Sequence, residues 1–140
     1  FLQGRNLYRW FARLGHASRS NSKRGAKRSI KSHYDLGNDF YALWLDPTMT
    51  YSSAVYPDTS STLEEAQRHK YQLLIDQLQL EPSHHLLEIG CGWGGFAIYA
   101  AEMIGCKITA VTISQAQYDF VRRRIDNARL SDKITLFYQG

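Results

Sequence analysis

Three short apolar runs in the second half of the chain alternate with segments of helical period. The runs cover 86–89, 107–112 and 134–138, and each has the length of a strand. Apolar residues recur at helical spacing over 95–104 and again after Ser114, a residue placed to cap the second of these helices. Near its C-terminal end, Arg122, Arg123 and Arg124 are expected on a solvated face. Strands alternating with helices predict an α/β fold with a parallel sheet and right-handed crossovers.

Another helix is predicted ahead of the first strand. Either Ser61 with Glu64 or Thr62 with Glu65 provides a capping box, and the helix runs to about residue 80. The pattern of its side chains predicts an inner face made of five residues: Ala66, Leu73, Leu74, Gln77 and Leu78.

The segment 32–60 is rich in aromatic and hydroxyl residues. Asn38 or Asp39 is predicted to cap a short helix, which ends at Asp46-Pro47. The helix carries three large apolar residues: Phe40, Leu43 and Trp44. A polar-aromatic loop, 48–56, follows. The aromatic and hydroxyl residues suggest a lid or pocket wall, whereas composition alone would favour a small satellite core.

The segment 1–31 is basic and begins with an amphipathic pattern. Its apolar residues at helical spacing are Leu7, Trp10, Phe11 and Leu14. Nine of the 17 Lys and Arg residues precede Asp35 and no acid does, although the net charge of the whole chain is only +4. Such an arm suits an anionic membrane surface, and docking on the parent domain is the alternative. Little aromatic interleaving argues against nucleic acid.

Composition narrows the class of protein further. No apolar run approaches the roughly 20 residues of a membrane span, and the N-terminus shows no signal-peptide pattern. The two cysteines, Cys91 and Cys106, have neither metal nor redox spacing and are expected as small buried residues in a reducing cytoplasm. No histidine has metal spacing, and His84 and His85 are expected at a turn and a strand start.

The stretch EIGCGWGG, 88–95, is the strongest chemical signal in the chain. It places four glycines between a predicted strand and a predicted helix. Glycine allows the positive φ of a tight turn and lets a ligand lie on the backbone. The N–H groups of the following helix point at that ligand, so a nucleotide or nucleoside cofactor is predicted.

The glycine turn fits two cofactor templates. Gly90, Gly92 and Gly95 match the dinucleotide pattern, whereas Glu88 with Gly90, Gly92 and Gly94 matches the turn of S-adenosylmethionine-dependent methyltransferases. A nicotinamide site normally has an acid at the end of the second strand, and here that strand ends without one. Thr112 and Gln117 are therefore the candidates for holding the ribose.

Three segments together resemble the cyclopropane-fatty-acyl-phospholipid synthase family, to which mycolic acid cyclopropane synthases and related lipid methyltransferases belong. They are HYDLGNDFYALWLDPTMTYSSAVY (33–56), LLEIGCGWGGFA (86–97) and VTISQAQ (111–117), in the order and spacing of the family. The resemblance covers about residues 30–140. It implies a partial Rossmann-like methyltransferase fold, with parallel strands in the order 3-2-1, preceded by a helical cap and the basic segment. The predicted units are 1–31, 32–60 and 61–140.

The resemblance also implies the cofactor, S-adenosylmethionine, and the residues that hold it. The methionine part matches Tyr51 and Ser52, and the adenosine matches Thr112, Ile113 and Gln117. The glycine cradle and the acid that orients it match four positions: Glu88, Gly90, Gly92 and Gly94. On the substrate side, the cap beside the acyl channel matches His33, Tyr34, Phe40 and Trp44.

The implied activity is methylene or methyl transfer to the double bond of unsaturated phospholipid acyl chains, at the inner face of an anionic membrane. In the family a bicarbonate ion accepts the proton lost on ring closure, and Ser53 stands where the family has a bicarbonate-binding cysteine. A methyl-branched product or another acceptor is the first alternative. A membrane- or nucleic-acid-binding module with a vestigial cofactor site is the second.

The resemblance further implies that the chain is the first part of a catalytic domain. An open half sheet leaves one edge and one face without their usual cover. We therefore expect the isolated chain to be inactive, marginally stable and prone to self-association.

Overall fold

A computed structural model describes residues 37–140, in which seven elements follow one another. The strands are β1 (His85–Ile89), β2 (Lys107–Thr112) and β3 (Ile134–Tyr138). The helices are α1 (Asn38–Ala42), α2 (Leu63–Leu78), α3 (Gly95–Ile104) and α4 (Gln115–Asn127). The predicted basic segment and the predicted site residues His33 and Tyr34 lie outside the described residues.

The described strands form a parallel sheet in the order β1-β2-β3, which confirms the predicted 3-2-1 arrangement. Ile108 at the centre of the sheet pairs with Leu86 on one side and Ile134 on the other. Ile108 and Ala110 are fully buried, because helices cover β2. The core also contains Ala97 from α3 together with residues of α4. The partial Rossmann-like fold is therefore confirmed, with β2 as its central strand in this part of the chain.

The capping box of α2 is present, whereas the predicted inner face of α2 is wrong. Thr62 accepts from the backbone N–H of Glu65, and the Glu65 carboxylate accepts from Thr62 N. Of the five predicted inner residues, Ala66 is buried and the other four are exposed: Leu73, Leu74, Gln77 and Leu78.

The buried stripe of α2 runs instead through Ala66, Gln67, Tyr71 and Ile75. Gln67 and Tyr71 are polar in a hydropathy pattern, but both make hydrogen bonds to residues of the preceding loop. A polar side chain can be buried when it has a hydrogen-bond partner. A prediction based only on the spacing of the leucines therefore assigns the wrong face of α2 to the core.

Helix α1 differs from its prediction at both ends. Its N-cap is Gly37, without a side-chain capping bond, and neither Asn38 nor Asp39 occupies that position. The helix ends after five residues at Ala42, ahead of the predicted stop at Asp46-Pro47. Asp46 instead accepts from Thr48 N through its side chain at 2.9 Å, which closes the next turn.

Three smaller predictions are confirmed. Ser114 caps α4, and both Cys91 and Cys106 are buried free thiols. His84 lies in the turn and His85 begins β1. Among residues 37–140, no helix is long and apolar enough to cross a membrane.

Candidate functional site

The turn between β1 and α3 is a glycine cradle with positive φ at three positions. The φ angles of Gly90, Gly92 and Gly94 are 82°, 55° and 79°. The carbonyl of Val111 on β2 anchors the turn by accepting from both Gly90 N and Cys91 N at 2.9 Å. A Cβ on Gly90 or Gly92 would meet no atom within 4 Å, so this backbone faces open space that a ligand can occupy.

The later glycines of the turn serve close packing. A Cβ on Gly94 would lie 2.8 Å from Cγ1 of Val121 on α4. A Cβ on Gly95 would lie 3.0 Å from both Thr48 O and Thr50 Oγ1. The start of α3 is therefore pressed against α4 and against the 48–50 segment, and glycine is required for both contacts.

Glu88, at the end of β1, connects the sheet to the start of α3. Its carboxylate accepts a hydrogen bond from the backbone N–H of Ala97, while the N-cap residue Gly94 has no side chain to do this. The other oxygen, Oε2, is buried and has no hydrogen-bond partner within residues 37–140. Burial raises the pKa of Glu88 to about 7, although the Ala97 hydrogen bond acts in the opposite direction.

The segment from residue 48 to 53 runs beside this turn and is held by α2. Thr48 Oγ1 and Thr50 Oγ1 are 2.7 Å apart, and Thr50 Oγ1 is hydrogen-bonded to the buried hydroxyl of Tyr71. Burial raises the pKa of Tyr71. The predicted cofactor residues Tyr51 and Ser52 and the predicted anion residue Ser53 follow directly and are exposed.

Aromatic rings line the space between α1 and the glycine turn. Trp93 and Tyr41 are buried, with ring centroids 4.7 Å apart. Tyr51 lies edge-on to Tyr41 at 5.7 Å and to Trp44 at 6.0 Å. The two described residues predicted for the substrate side, Phe40 and Trp44, are 43% and 51% exposed, so they present apolar surface to solvent next to the site.

Two of the three residues predicted for adenosine make a hydrogen bond to each other. Thr112 Oγ1 donates to Gln117 Oε1 at 2.9 Å and accepts from Ser114 N, and both Thr112 and Gln117 are almost fully buried. This pair fixes the turn between β2 and α4. Ile113, between them in sequence, is 50% exposed. Of the three residues predicted for adenosine, it is therefore the one whose side chain is available to pack on a ligand.

Arg124 departs from its prediction as part of a solvated face. Arg122 and Arg123 are exposed, but Arg124 is partly buried and donates to Thr48 O and to Trp93 O, both at 3.0 Å. Burial lowers the pKa of its guanidinium. The helical period of α4 could have separated Arg124 from its neighbours, since Val121 and Ile125 adjoin it on the buried face.

The residues present fit S-adenosylmethionine. This cofactor carries a positive sulfonium and a positive amino group, and the buried Glu88 Oε2 lacks a partner. The open backbone at Gly90 and Gly92 offers space for the rest of the molecule. Within residues 37–140, no cluster of His, Cys, Asp and Glu could hold a metal ion. Burial raises the pKa of Cys91 to about 12, which keeps it a neutral thiol.

Known proteins with similar sequences include a probable fatty acid methyltransferase and a cyclopropane-fatty-acyl-phospholipid synthase. The chain is 41% identical over 118 residues to a probable fatty acid methyltransferase of Pseudomonas putida, covering 84% of this chain and 30% of that protein. It is 43% identical over 105 residues to cyclopropane-fatty-acyl-phospholipid synthase of Escherichia coli, covering 75% of this chain and 27% of that protein. The chain therefore spans less than a third of the length of these two curated relatives.

Structural similarity and a family model point to the same family as these relatives. The chain is similar in structure to mycolic acid cyclopropane synthase CmaA1 complexed with SAH and CTAB, with a TM-score of 0.77 and 35% identity, over 81% of this chain and 40% of that one. Residues 21–140 match the model of the family described as mycolic acid cyclopropane synthetase. The chain belongs to the mycolic acid cyclopropane synthetase family.

Proposed function

We propose that the protein containing this chain uses S-adenosylmethionine to transfer a methylene or methyl group to the double bond of an unsaturated phospholipid acyl chain. The observation that carries the proposal is the open cradle at Gly90 and Gly92 beside the unpartnered Glu88 Oε2. Relatives named as a cyclopropane-fatty-acyl-phospholipid synthase and as a fatty acid methyltransferase support the substrate class. Because the chain spans 30% or less of these two, we expect it to be inactive alone.

When bound, S-adenosylmethionine supplies an electrophilic methyl carbon on a sulfonium. The backbone at Gly90 and Gly92 would hold the cofactor, and the Glu88 carboxylate would pair with its positive charge. An unactivated double bond is a weak nucleophile, so the rings of Tyr51 and Trp44 would serve by excluding water and keeping the alkene close. The Ser53 hydroxyl would donate a hydrogen bond to bicarbonate, which is a proton acceptor.

We also propose that the site faces the inner surface of an anionic membrane. Leu43 is 83% exposed and lies on the same short segment as the exposed rings of Phe40 and Trp44. Apolar and aromatic side chains of this kind suit the lipid interface. The basic residues of segment 1–31 would add about 1 kcal/mol each near anionic lipid. Vesicle co-sedimentation tests this proposal, since binding that ignores anionic lipid and salt would contradict it.

The experiment that tests the activity is lipid mass analysis after the full-length protein is expressed in a bacterium that lacks cyclopropane lipids. We expect unsaturated phospholipids to gain one CH₂ each. A Gly92→Val variant should abolish the gain, because its side chain would fill the open cradle. Unchanged lipids, from a wild-type protein that is folded and binds S-adenosylhomocysteine, would contradict the proposed acceptor.

A methyl-branched product is the second candidate, and Ser53 is the observation that favours it. Serine stands where the family that the chain resembles has cysteine. A saturated methyl branch would form if a separate hydride donor reduced the carbocation that methyl transfer leaves, so this product contains two hydrogens more than a ring product. Mass analysis therefore separates the two outcomes. If the full-length protein gives no heat with S-adenosylhomocysteine in calorimetry, both enzyme proposals fail, and a binding module with a vestigial site remains.

A further inference from the structure

The 50–55 segment, which contains the predicted cofactor residues Tyr51 and Ser52, is held in place by hydrogen bonds to one helix. Gln67 on α2 donates through Nε2 to Ser52 O at 2.8 Å and to Thr50 O at 3.4 Å. The backbone N–H of Val55 donates to Ala66 O at 3.4 Å, which adds a third attachment to the same helix. The first two turns of α2 thus fix the position of this segment.

Lys70 lies one turn beyond Gln67 and makes two further contacts with the segment. Its Nζ donates to Ser52 Oγ and to Ser53 O, both at 2.9 Å. The same ammonium lies 5.6 Å from the ring centroid of Tyr71. Burial lowers the pKa of Lys70, and the charge of Asp46 opposes that change. The ammonium is therefore partly removed from water and has defined acceptors, unlike a solvated surface lysine.

The hydrogen bond from Lys70 determines what Ser52 can do. A hydroxyl has one proton to donate and two lone pairs that accept. Since Ser52 Oγ already accepts from an ammonium, its own proton is free to be donated elsewhere, and the neighbouring positive charge strengthens that donor. A donor of this kind matches a carboxylate. The amino-acid part of S-adenosylmethionine carries both a carboxylate and an ammonium, and Glu88 is the acceptor matched to the latter.

We propose that Lys70 is a positioning residue of the cofactor site, which acts through Ser52 by ordering the 50–55 segment and orienting the Ser52 hydroxyl toward the cofactor carboxylate. This inference rests on the proposed use of S-adenosylmethionine. It assigns to α2 the role of ordering the 50–55 segment for cofactor binding, which is separate from the role of the glycine turn.

The test compares Lys70→Met and Lys70→Arg with a matched control, Lys107→Met, in the full-length protein. Lys107 is exposed at the first residue of β2, at the end of that strand opposite the glycine turn. Two quantities are measured for each variant: the affinity for S-adenosylhomocysteine by calorimetry and amide hydrogen exchange over 52–55.

We expect K70M to weaken binding about tenfold and to speed exchange over 52–55 by a similar factor, with little change in Tm. K70R should restore most of the affinity, because it keeps a charged donor, and K107M should match the wild type. In a Ser52→Ala background, K70M should cost less affinity than in the wild type.

Wild-type affinity and exchange in K70M would overturn the proposal. So would a parallel fall in affinity and Tm that K70R does not rescue, since that pattern means a general structural role. A wild-type protein that binds no S-adenosylhomocysteine would instead overturn the proposed function, and the exchange comparison would still decide whether Lys70 orders the segment.

Discussion

The indole Nε1 of Trp93 donates to the side-chain oxygen of Asn38 at 2.8 Å, although the two residues are 55 positions apart. The amide nitrogen of Asn38 donates in turn to the backbone carbonyl of Ala116, at 3.3 Å. One side chain on α1 thus ties the glycine turn to the first turn of α4. Because α1 has only five residues, contacts of this kind hold it in place.

The first prediction concerns Asn38. Asn38→Ala should lower the free energy of unfolding by about 1 kcal/mol per lost hydrogen bond and loosen α1, because both bonds disappear. Asn38→Asp is the matched variant, since it keeps the oxygen that accepts from Trp93 and loses only the donor to Ala116. Urea unfolding followed by tryptophan fluorescence measures both. Equal losses in the two variants would contradict the importance of the bond from Trp93.

The second prediction concerns the glycine cradle. Gly90→Ala and Gly105→Ala both place a methyl group at positive φ with no atom within 4 Å, so each should cost about 1 kcal/mol of strain. Only Gly90→Ala should weaken binding of S-adenosylhomocysteine, because Gly105 lies at the far end of α3. Gly94→Ala should destabilise the fold most, owing to its collision with Val121. Thermal unfolding and calorimetry on all three variants provide the comparison.

The third prediction is a pH dependence that arises from Glu88. A carboxyl whose pKa rises to about 7 on folding contributes stability below its ordinary pKa of 4.5, and that contribution is lost as the pH rises through 7. A positively charged cofactor prefers the ionised carboxylate. Its affinity should therefore increase with pH up to about 7, and fall about tenfold per pH unit on the acid side of the pKa.

Calorimetric titrations with S-adenosylmethionine between pH 5.5 and pH 8, roughly spanning the pKa of Glu88, measure this dependence. Glu88→Gln is the control, since it keeps the shape and cannot ionise. It should bind weakly and with a flat pH profile. A wild-type profile that is equally flat would exclude Glu88 as the group that pairs with the cofactor.

The fourth prediction separates the three neighbouring arginines of α4. Arg124→Met should lower the free energy of unfolding by about 2 kcal/mol, because the carbonyls of Thr48 and Trp93 lose a charged donor. Arg123→Met, at an exposed position next to it, should change that free energy by less than about 0.5 kcal/mol. Denaturant unfolding of the two variants measures both free energies. Equal, small losses would contradict a structural role for Arg124.

Much of this molecule follows from short-range sequence information. The order of strands and helices, the positive-φ turn at 90–94 and the caps at Thr62 and Ser114 agree with their predictions. Each depends on residues within a few positions of one another: a capping side chain bonds the N–H three residues on, and a glycine accepts positive φ wherever the backbone turns. The sequence by itself therefore determined the succession of strands and helices along the chain and the position of the cradle.

The tertiary structure decided which polar side chains are at least partly buried and which distant groups they bond. Asn38, Lys70 and Arg124 have partners 78, 18 and 76 positions away in sequence, and none is marked by hydropathy or by a local motif. The same limit explains the misplaced face of α2. A periodic pattern takes only apolar residues into account. A polar side chain can also be buried if a residue distant in sequence forms a hydrogen bond with it. Only the folded chain brings those partners within hydrogen-bonding distance.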